Sequence, residues 1–278
     1  MNEFKYDLIG YWSEVKLAIV NDYASAYSKI MHKQSSIRKY LYIDAFSGAG
    51  HHILKSTGDF VLGSSLNALK IAPAFNEYHL IDLDRGKINE LQQQVGKRQD
   101  VFFYNEDANK VLLDNVFPRC LHQDYHRALC LLDPYALTVD WNVLQTAGKM
   151  ESVEVFYNFM IMDANMNVFL RNPDKVATEQ AIRMDKVWGD RTWRTEAYIA
   201  RPTLWGDTID EKATNEDIAE CFRQRLIDVA KFKYVPKPMP MRNEKGSVIY
   251  YLFFASPNKT GAGIVEDIFN TYRNRGMK

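Results

Sequence analysis

Tyr40–His52 reads YLYIDAFSGAGHH: an apolar run of Leu41, Tyr42 and Ile43, an acid at Asp44, then a turn on Gly48-Ala49-Gly50. A short buried strand running straight into a glycine turn is how a nucleotide-binding α/β sheet begins. Two glycines one residue apart let the backbone turn sharply and let a ligand approach it closely. Phosphate is better met by bare amides or a Lys, and a GK[ST] phosphate loop is excluded here. An acid at the end of the strand suits a ligand carrying positive charge. S-adenosylmethionine, with its sulfonium and ammonium groups, is the cofactor this stretch points to.

Upstream, Leu8, Trp12, Val15, Ile19, Tyr23, Ala26, Tyr27 and Ile30 recur at spacings of three and four, which predicts one helix over residues 7–32. Lys16 on that helix reads either as part of a solvated face or as a side chain over the cofactor mouth. Residues 32–39 are a polar, basic link into the strand. Downstream, residues 51–65 read as an irregular insertion ending in Gly63-Ser64-Ser65, followed by a helix over residues 66–72 that Pro73 stops. The next strand is residues 77–83, EYHLIDL, with Asp82 at its tip. A carboxylate there can accept both ribose hydroxyls. A dinucleotide site expects that acid ~20 residues after the glycines. Asp82 follows Gly50 by 32 residues, and Ile53 replaces the third glycine, which counts against NAD. Asp84 is expected to cap a helix over residues 85–95. A third strand over residues 101–104 leads to Asp107, which reads equally as an acceptor for the adenine amine and as the N-cap of a helix starting near Ala108. Phe46 and Ala108 complete the expected cofactor set with Lys16, Asp44, Gly48, Gly50, Asp82 and Asp107.

A continuous apolar run over residues 128–132, as a sheet buried on both faces requires, ends in Asp133-Pro134-Tyr135. Ligands of open α/β sheets sit at such carboxyl ends. An Asp side chain and the carbonyl before a proline can hold an amine with its lone pair towards an electrophilic methyl, and an aromatic ring can stack on a planar substrate. Amino-methylating nucleic-acid enzymes carry D/N-P-P-Y/F at this place; here one proline is followed by Tyr135-Ala136. Asp133, Pro134 and Tyr135 are the expected catalytic residues. A fifth strand spans residues 153–159. Residues 164–217 then interrupt the sheet with Arg171, Arg183, Trp188, Arg191, Trp193, Arg194, Arg201 and Trp205. These could grip phosphates and stack bases, or build a small helical lid with its own apolar patch. A helix over residues 216–229, strands over 234–239 and 248–254 joined by a hairpin-like connection, and a helix over 263–272 end the chain.

Composition bounds the rest. At 278 residues the chain can bury a large core. Its formal net charge of zero gives no global pull towards nucleic acid or membrane. Cys120, Cys130 and Cys221 have no metal-ligand spacing, so thiols in a reducing compartment and no metal are expected. No apolar run approaches the ~18 residues of a membrane span, and MNEFKYD has no signal-peptide pattern. A cytoplasmic protein is the expectation.

The five α-then-β units and terminal hairpin match the layout of Rossmann-like methyltransferases. WSEVK, YLYIDAFSGAG, LGSSLNAL, YHLIDLD, LLDPYAL and the terminal YYLFFAS together resemble the three-Cys-motif partner proteins. The likeness spans most of the chain and is weakest over residues 164–217. Ser65 stands where that family usually has proline. The resemblance implies a class I methyltransferase-like fold that binds S-adenosylmethionine and a partnership with a protein carrying a three-cysteine, radical-SAM-type signature. The expected architecture is α/β, with about seven mostly parallel strands, an antiparallel terminal hairpin, helices on both faces and a helical insertion. Residues 1–39 form an N-terminal helix on the core, 40–163 and 216–278 the core, and 164–215 an inserted lid or substrate-recognition segment. Two functions are compatible with these residues. One is a methyltransferase acting on nucleic acid, an amine nitrogen favoured, or on a partner protein's side chain. The other is a cofactor-binding scaffold without chemistry of its own.

Overall fold

Alternation along the central strand divides the interior into two cores. Leu41 and Ile43 pack with Ala128, Cys130, Val155 and Tyr157, whereas Tyr40 and Tyr42 pack with Leu129, Leu131, Phe156 and Phe254. A strand apolar on both faces has to be covered on both, which helices on either side of a parallel sheet achieve.

The computed structural model describes residues 5–202 and 208–275. Its first half comprises β1 (Asp7–Ile9), α1 (Tyr11–Lys33), β2 (Lys39–Asp44), β3 (His51–Leu54), β4 (Phe60–Leu62), α2 (Ser64–Ala68), β5 (Glu77–Ile81), α3 (Arg85–Val95), β6 (Val101–Tyr104) and α4 (Ala108–Val111). Then come β7 (His126–Leu132), α5 (Trp141–Met150), β8 (Val153–Phe159), α6 (Ile161–Asn167), α7 (Thr178–Trp188) and α8 (Trp193–Glu196). The chain continues through β9 (Tyr198–Pro202), β10 (Thr208–Lys212), α9 (Asn215–Asp228), β11 (Met239–Arg242), β12 (Val248–Ala255) and α10 (Lys259–Arg275).

Seven strands form the main sheet in the order β6-β5-β2-β7-β8-β12-β11. The first five are parallel; β12 runs antiparallel to β8, and β11 antiparallel to β12. This is the Rossmann-like methyltransferase sheet with its reversed terminal hairpin. The strand order turns round between β2 and β7, so the crevice at their carboxyl ends is the topological switch point where such sheets bind ligands. No helix among the described residues is long and apolar enough to cross a membrane.

Several boundaries differ from the sequence reading. Residues 7–9 are not helical: they form a strand parallel to β3, and α1 begins only after Gly10, which is extended at φ −104° and ψ 178°. Residues 51–65 are not irregular, because β3 and β4 pair as a hairpin and complete a three-stranded sheet with β1. The helix expected over residues 66–72 is α2, which starts after Gly63 and stops at Ala68. The strand expected over residues 234–239 lies further on. Pro236 and Pro238 have no N–H to give a ladder, so Tyr234 makes only an isolated bridge to Ser256. The ladder forms at β11, on the sheet edge, where Pro240 is tolerated.

The insertion is helical through α8 and ends in the β9–β10 hairpin. Its Arg and Trp residues hold it together. Trp188 and Trp193 are buried. The Arg225 guanidinium lies 5.1 Å from the Trp141 ring and 5.4 Å from that of Trp188, and it donates to the Trp188 carbonyl, Thr192 and Asp190. Asp185 accepts from Trp193 Nε1 and Arg194, and Asp163 pairs with Arg183. Arg191 also pairs with Asp185, so the phosphate-gripping reading loses Arg183, Arg191 and Arg194 to ion pairs. Trp205 lies outside the described residues, as does the side chain of Arg201. Of the three free cysteines, Cys120 and Cys130 are core residues whose thiols burial pushes up, that of Cys120 to about 12.

One close approach was invisible in the sequence. A Cβ on Gly148, in α5, would stand 2.0 Å from the Ala230 carbonyl oxygen. Because backbone rather than a movable side chain blocks it, Gly148→Ala is expected to cost about 3 kcal/mol, the top of the usual overpacking range. A urea-denaturation midpoint unchanged from wild type would contradict this packing.

Candidate active site

The carboxyl ends of β2, β5 and β7 deliver Asp44, Asp82 and Asp133 to one end of the sheet. The glycine turn links the first two. Gly48 and Gly50 adopt φ +62° and +85°, the left-handed region that glycine enters without penalty. The Gly48 N–H donates to one Asp82 carboxylate oxygen at 2.9 Å, and the Asp84 N–H donates to the other at 2.9 Å. Asp84 caps α3 by accepting from Gly86 and Lys87. Gly50 packs inward, where a Cβ would meet Gln94 and Leu91 at 2.8 Å.

Asp44 is fully buried and accepts hydrogen bonds from the Ser64 and Ser65 hydroxyls. Burial pushes its pKa to about 6, against the pull of those two hydroxyls. Below the ordinary value of 3.8 the carboxyl is protonated folded or unfolded; between there and 6 only the folded chain holds the proton. Its contribution to stability is thus present at low pH and is lost as pH rises through 6. Relative to Asp44→Asn, wild-type stability should fall by up to ~1.4 kcal/mol per pH unit across that window. Urea unfolding at pH 4 to 8 tests this; parallel curves for the two proteins would rule it out.

A cavity of about 220 Å³ lies beside the glycine turn. Ligand pockets usually run ~300–1,000 Å³, so it would enclose only part of a nucleoside-sized ligand. Of the expected residues, Lys16, Phe46, Gly48, Asp133, Pro134 and Tyr135 line it. Asp44 stands behind Ser64. Asp82 lies outside the lining, as does Asp107, exposed at the N-cap of α4, where it accepts from the Lys110 N–H; Ala108 is buried beside it.

Lys16 is not on a solvated face. Its ammonium pairs with one Asp133 oxygen, and the Asn158 amide donates to the other. Burial alone would lower the Lys16 pKa; the Asp133 carboxylate more than offsets this and raises it. Tyr135 is 70% exposed at the cavity mouth. Its hydroxyl donates to Asp7 at 2.7 Å and accepts from the Lys87 ammonium at 3.2 Å, and that ammonium lies 4.9 Å from the ring centroid.

The sequence reading missed Asp7, Ser47, His52, Ser64, Asn158 and Tyr250. Asn158 had a signal: a polar residue inside the apolar run of β8. Ser47 Oγ, His52 Nδ1, the Asn158 amide oxygen and Tyr250 Oη are buried and find no partner among the described residues. Ser47, His52 and Tyr250 line the cavity, and Asn158 adjoins it through Asp133. Burial, and then Lys16, lower the His52 pKa, which keeps its ring neutral at pH 7. Buried polar groups rarely go unpaired, so these walls are ones that a polar ligand would complete.

No protein-family model and no curated protein matches the sequence. Among solved structures, the chain is similar to protein LPL1258 of Legionella pneumophila, from family DUF519, at 11% identity and a TM-score of 0.53 over 95% of this chain and 91% of that one. CurJ carbon methyltransferase superposes more loosely, at 9% identity and a TM-score of 0.39 over 87% of this chain and 56% of that one. A SAM-dependent methyltransferase of Anabaena variabilis gives 9% identity and a TM-score of 0.33 over 92% and 97%. At 11% identity the likeness to LPL1258 is one of fold alone.

Proposed function

We propose that this protein is an S-adenosylmethionine-dependent methyltransferase whose acceptor is an amine nitrogen of a nucleic-acid base. The observation that carries the reading is the Lys16–Asp133–Asn158 clamp at the switch point, beside the glycine turn and under an exposed Tyr135. The residues present fit the cofactor. Asp44, a buried carboxyl at a pKa of about 6, gains from a nearby cation such as an ammonium group. The orphaned Ser47 and Tyr250 hydroxyls offer partners for a polar tail, and Asp82 keeps lone pairs for two ribose hydroxyls.

The bound cofactor would supply an already activated methyl, so the protein's task is alignment. Lys16 and Asn158 fix both Asp133 oxygens and leave each a lone pair, which lets the carboxylate accept from the acceptor amine and aim its nitrogen. Tyr135 and Leu8, 70% and 57% exposed, both line the cavity and give its mouth an apolar wall on which a flat base can stack.

Calorimetric titration with S-adenosylmethionine and with its demethylated product tests the cofactor half: micromolar binding is expected, and no heat from either ligand would sink the reading. For the acceptor, affinity for a single-stranded oligonucleotide should fall steeply with salt; a flat response points to a protein side chain instead. The single proline of Asp133-Pro134-Tyr135 favours one other reading: a cofactor-binding scaffold for the three-cysteine partner that the sequence motifs imply. Cofactor binding without turnover on any nucleic acid would support it.

A further inference from the structure

The same strands that carry Asp133 at one end frame a second cavity at the other. It has a volume of about 300 Å³ and opens between α1, the starts of β7 and β8, and the N-terminus of α10. Tyr27, Arg127, Ser152 and Glu154 line it, with His122 and Lys259 also at its wall. Tyr27 and Ser152 are 2% and 1% exposed, and neither hydroxyl has a partner among the described residues. These are donors shut away from water with nothing to donate to.

The charge balance is cationic. No carboxylate comes within ion-pair distance of Arg127 among the described residues, and burial lowers the pKa of its guanidinium. It donates to the His126 carbonyl at 2.6 Å and lies 3.1 Å from His122 Nε2, which leaves further N–H groups unused. Glu151 is already paired with Lys233 at 2.9 Å. Both Glu154 oxygens accept hydroxyl hydrogen bonds, from Tyr23 and from Ser256, and burial pushes that carboxyl to about 7, so it carries only part of a charge at neutral pH. Lys259 opens α10, a 17-residue helix whose first amides add partial positive charge.

We propose that this cavity is a second binding site, for a small anion presented through a carboxylate or phosphate group. The Arg127 fork meets the two oxygens, and Tyr27 and Ser152 donate to what remains exposed of them. Nothing in the methyl-transfer reading requires this site, and it stands whether or not that reading does.

Titration of the full chain with inorganic phosphate and, separately, with succinate tests the proposal and tells the two oxyanions apart. One of them should bind saturably with a Kd below about 1 mM. Tyr27→Phe removes only an unpartnered hydroxyl, so folding is spared; it should weaken that binding about 5-fold, and Arg127→Gln at least 10-fold. S-adenosylmethionine titration and the thermal midpoint of each variant check that the rest of the molecule is intact. No binding of either anion up to ~20 mM, or binding that neither variant weakens, would overturn the assignment.

Discussion

Asp133→Ala is expected to lower kcat for methyl transfer by about 10³-fold while leaving S-adenosylmethionine affinity within a few-fold. Asp133 is held from two sides. It stands just past β7, at the switch point, with Lys16 on one oxygen and Asn158 on the other. A carboxylate so restrained has little freedom, which is what aligning an acceptor requires. Truncating it leaves the Lys16 ammonium buried without its counter-ion, a change that can cost ~3–5 kcal/mol of stability. Asp133→Asn keeps the bulk and an acceptor oxygen and separates misfolding from lost chemistry; about a 10²-fold loss is expected there. Lys16→Met should also slow turnover, and the double variant should be no slower than Asp133→Ala, because the two side chains act as a unit. Single-turnover rates beside cofactor titrations decide the matter. Undiminished turnover would remove Asp133 from the chemistry, whereas an equal loss in cofactor affinity would move it to the cofactor side.

How much of this was legible depended on sequence distance. The strand at Leu41–Ile43, the turn at Gly48 and Gly50, and the caps at Asp84 and Asp107 are local, so periodicity and capping rules found them. The β1–β3–β4 sheet was not: three residues at Asp7–Ile9 have too little pattern to outweigh the helix that follows, and their partner is some 45 positions away at His52–Leu54. The displaced β11 was a missed local signal, since Pro236 and Pro238 were readable as ladder breakers. At the site, Lys16 and Asp133 are 117 residues apart and Asn158 a further 25. Nothing in a single sequence ties them together; the topology does, by bringing α1, the end of β7 and β8 to one crevice. Phosphate-gripping arginines were the opposite case. Their spacing with tryptophan was visible, but the acids that hold Arg183, Arg191 and Arg194, Asp163 and Asp185, were not.

If Asp82 accepts both ribose hydroxyls, Asp82→Ala should weaken S-adenosylmethionine binding by about 10²–10³-fold, since each hydrogen bond to a charged group contributes ~1.5–3 kcal/mol. Part of that loss would come from the turn itself, because the Gly48 N–H donates to Asp82 at 2.9 Å and the Asp84 N–H to its other oxygen. Asp82→Asn tells the two contributions apart. An amide keeps one acceptor oxygen but faces the second backbone N–H with a donor of its own, so it perturbs one tether and one hydroxyl contact and should cost about 10-fold. A nucleoside lacking the 2′-hydroxyl separates them further. If Asp82 reads the ribose, wild type should prefer the full cofactor product over its 2′-deoxy form, and Asp82→Ala should bind both alike. If Asp82 only braces the glycine turn, the variant would lose affinity for both forms equally and keep the wild-type preference between them.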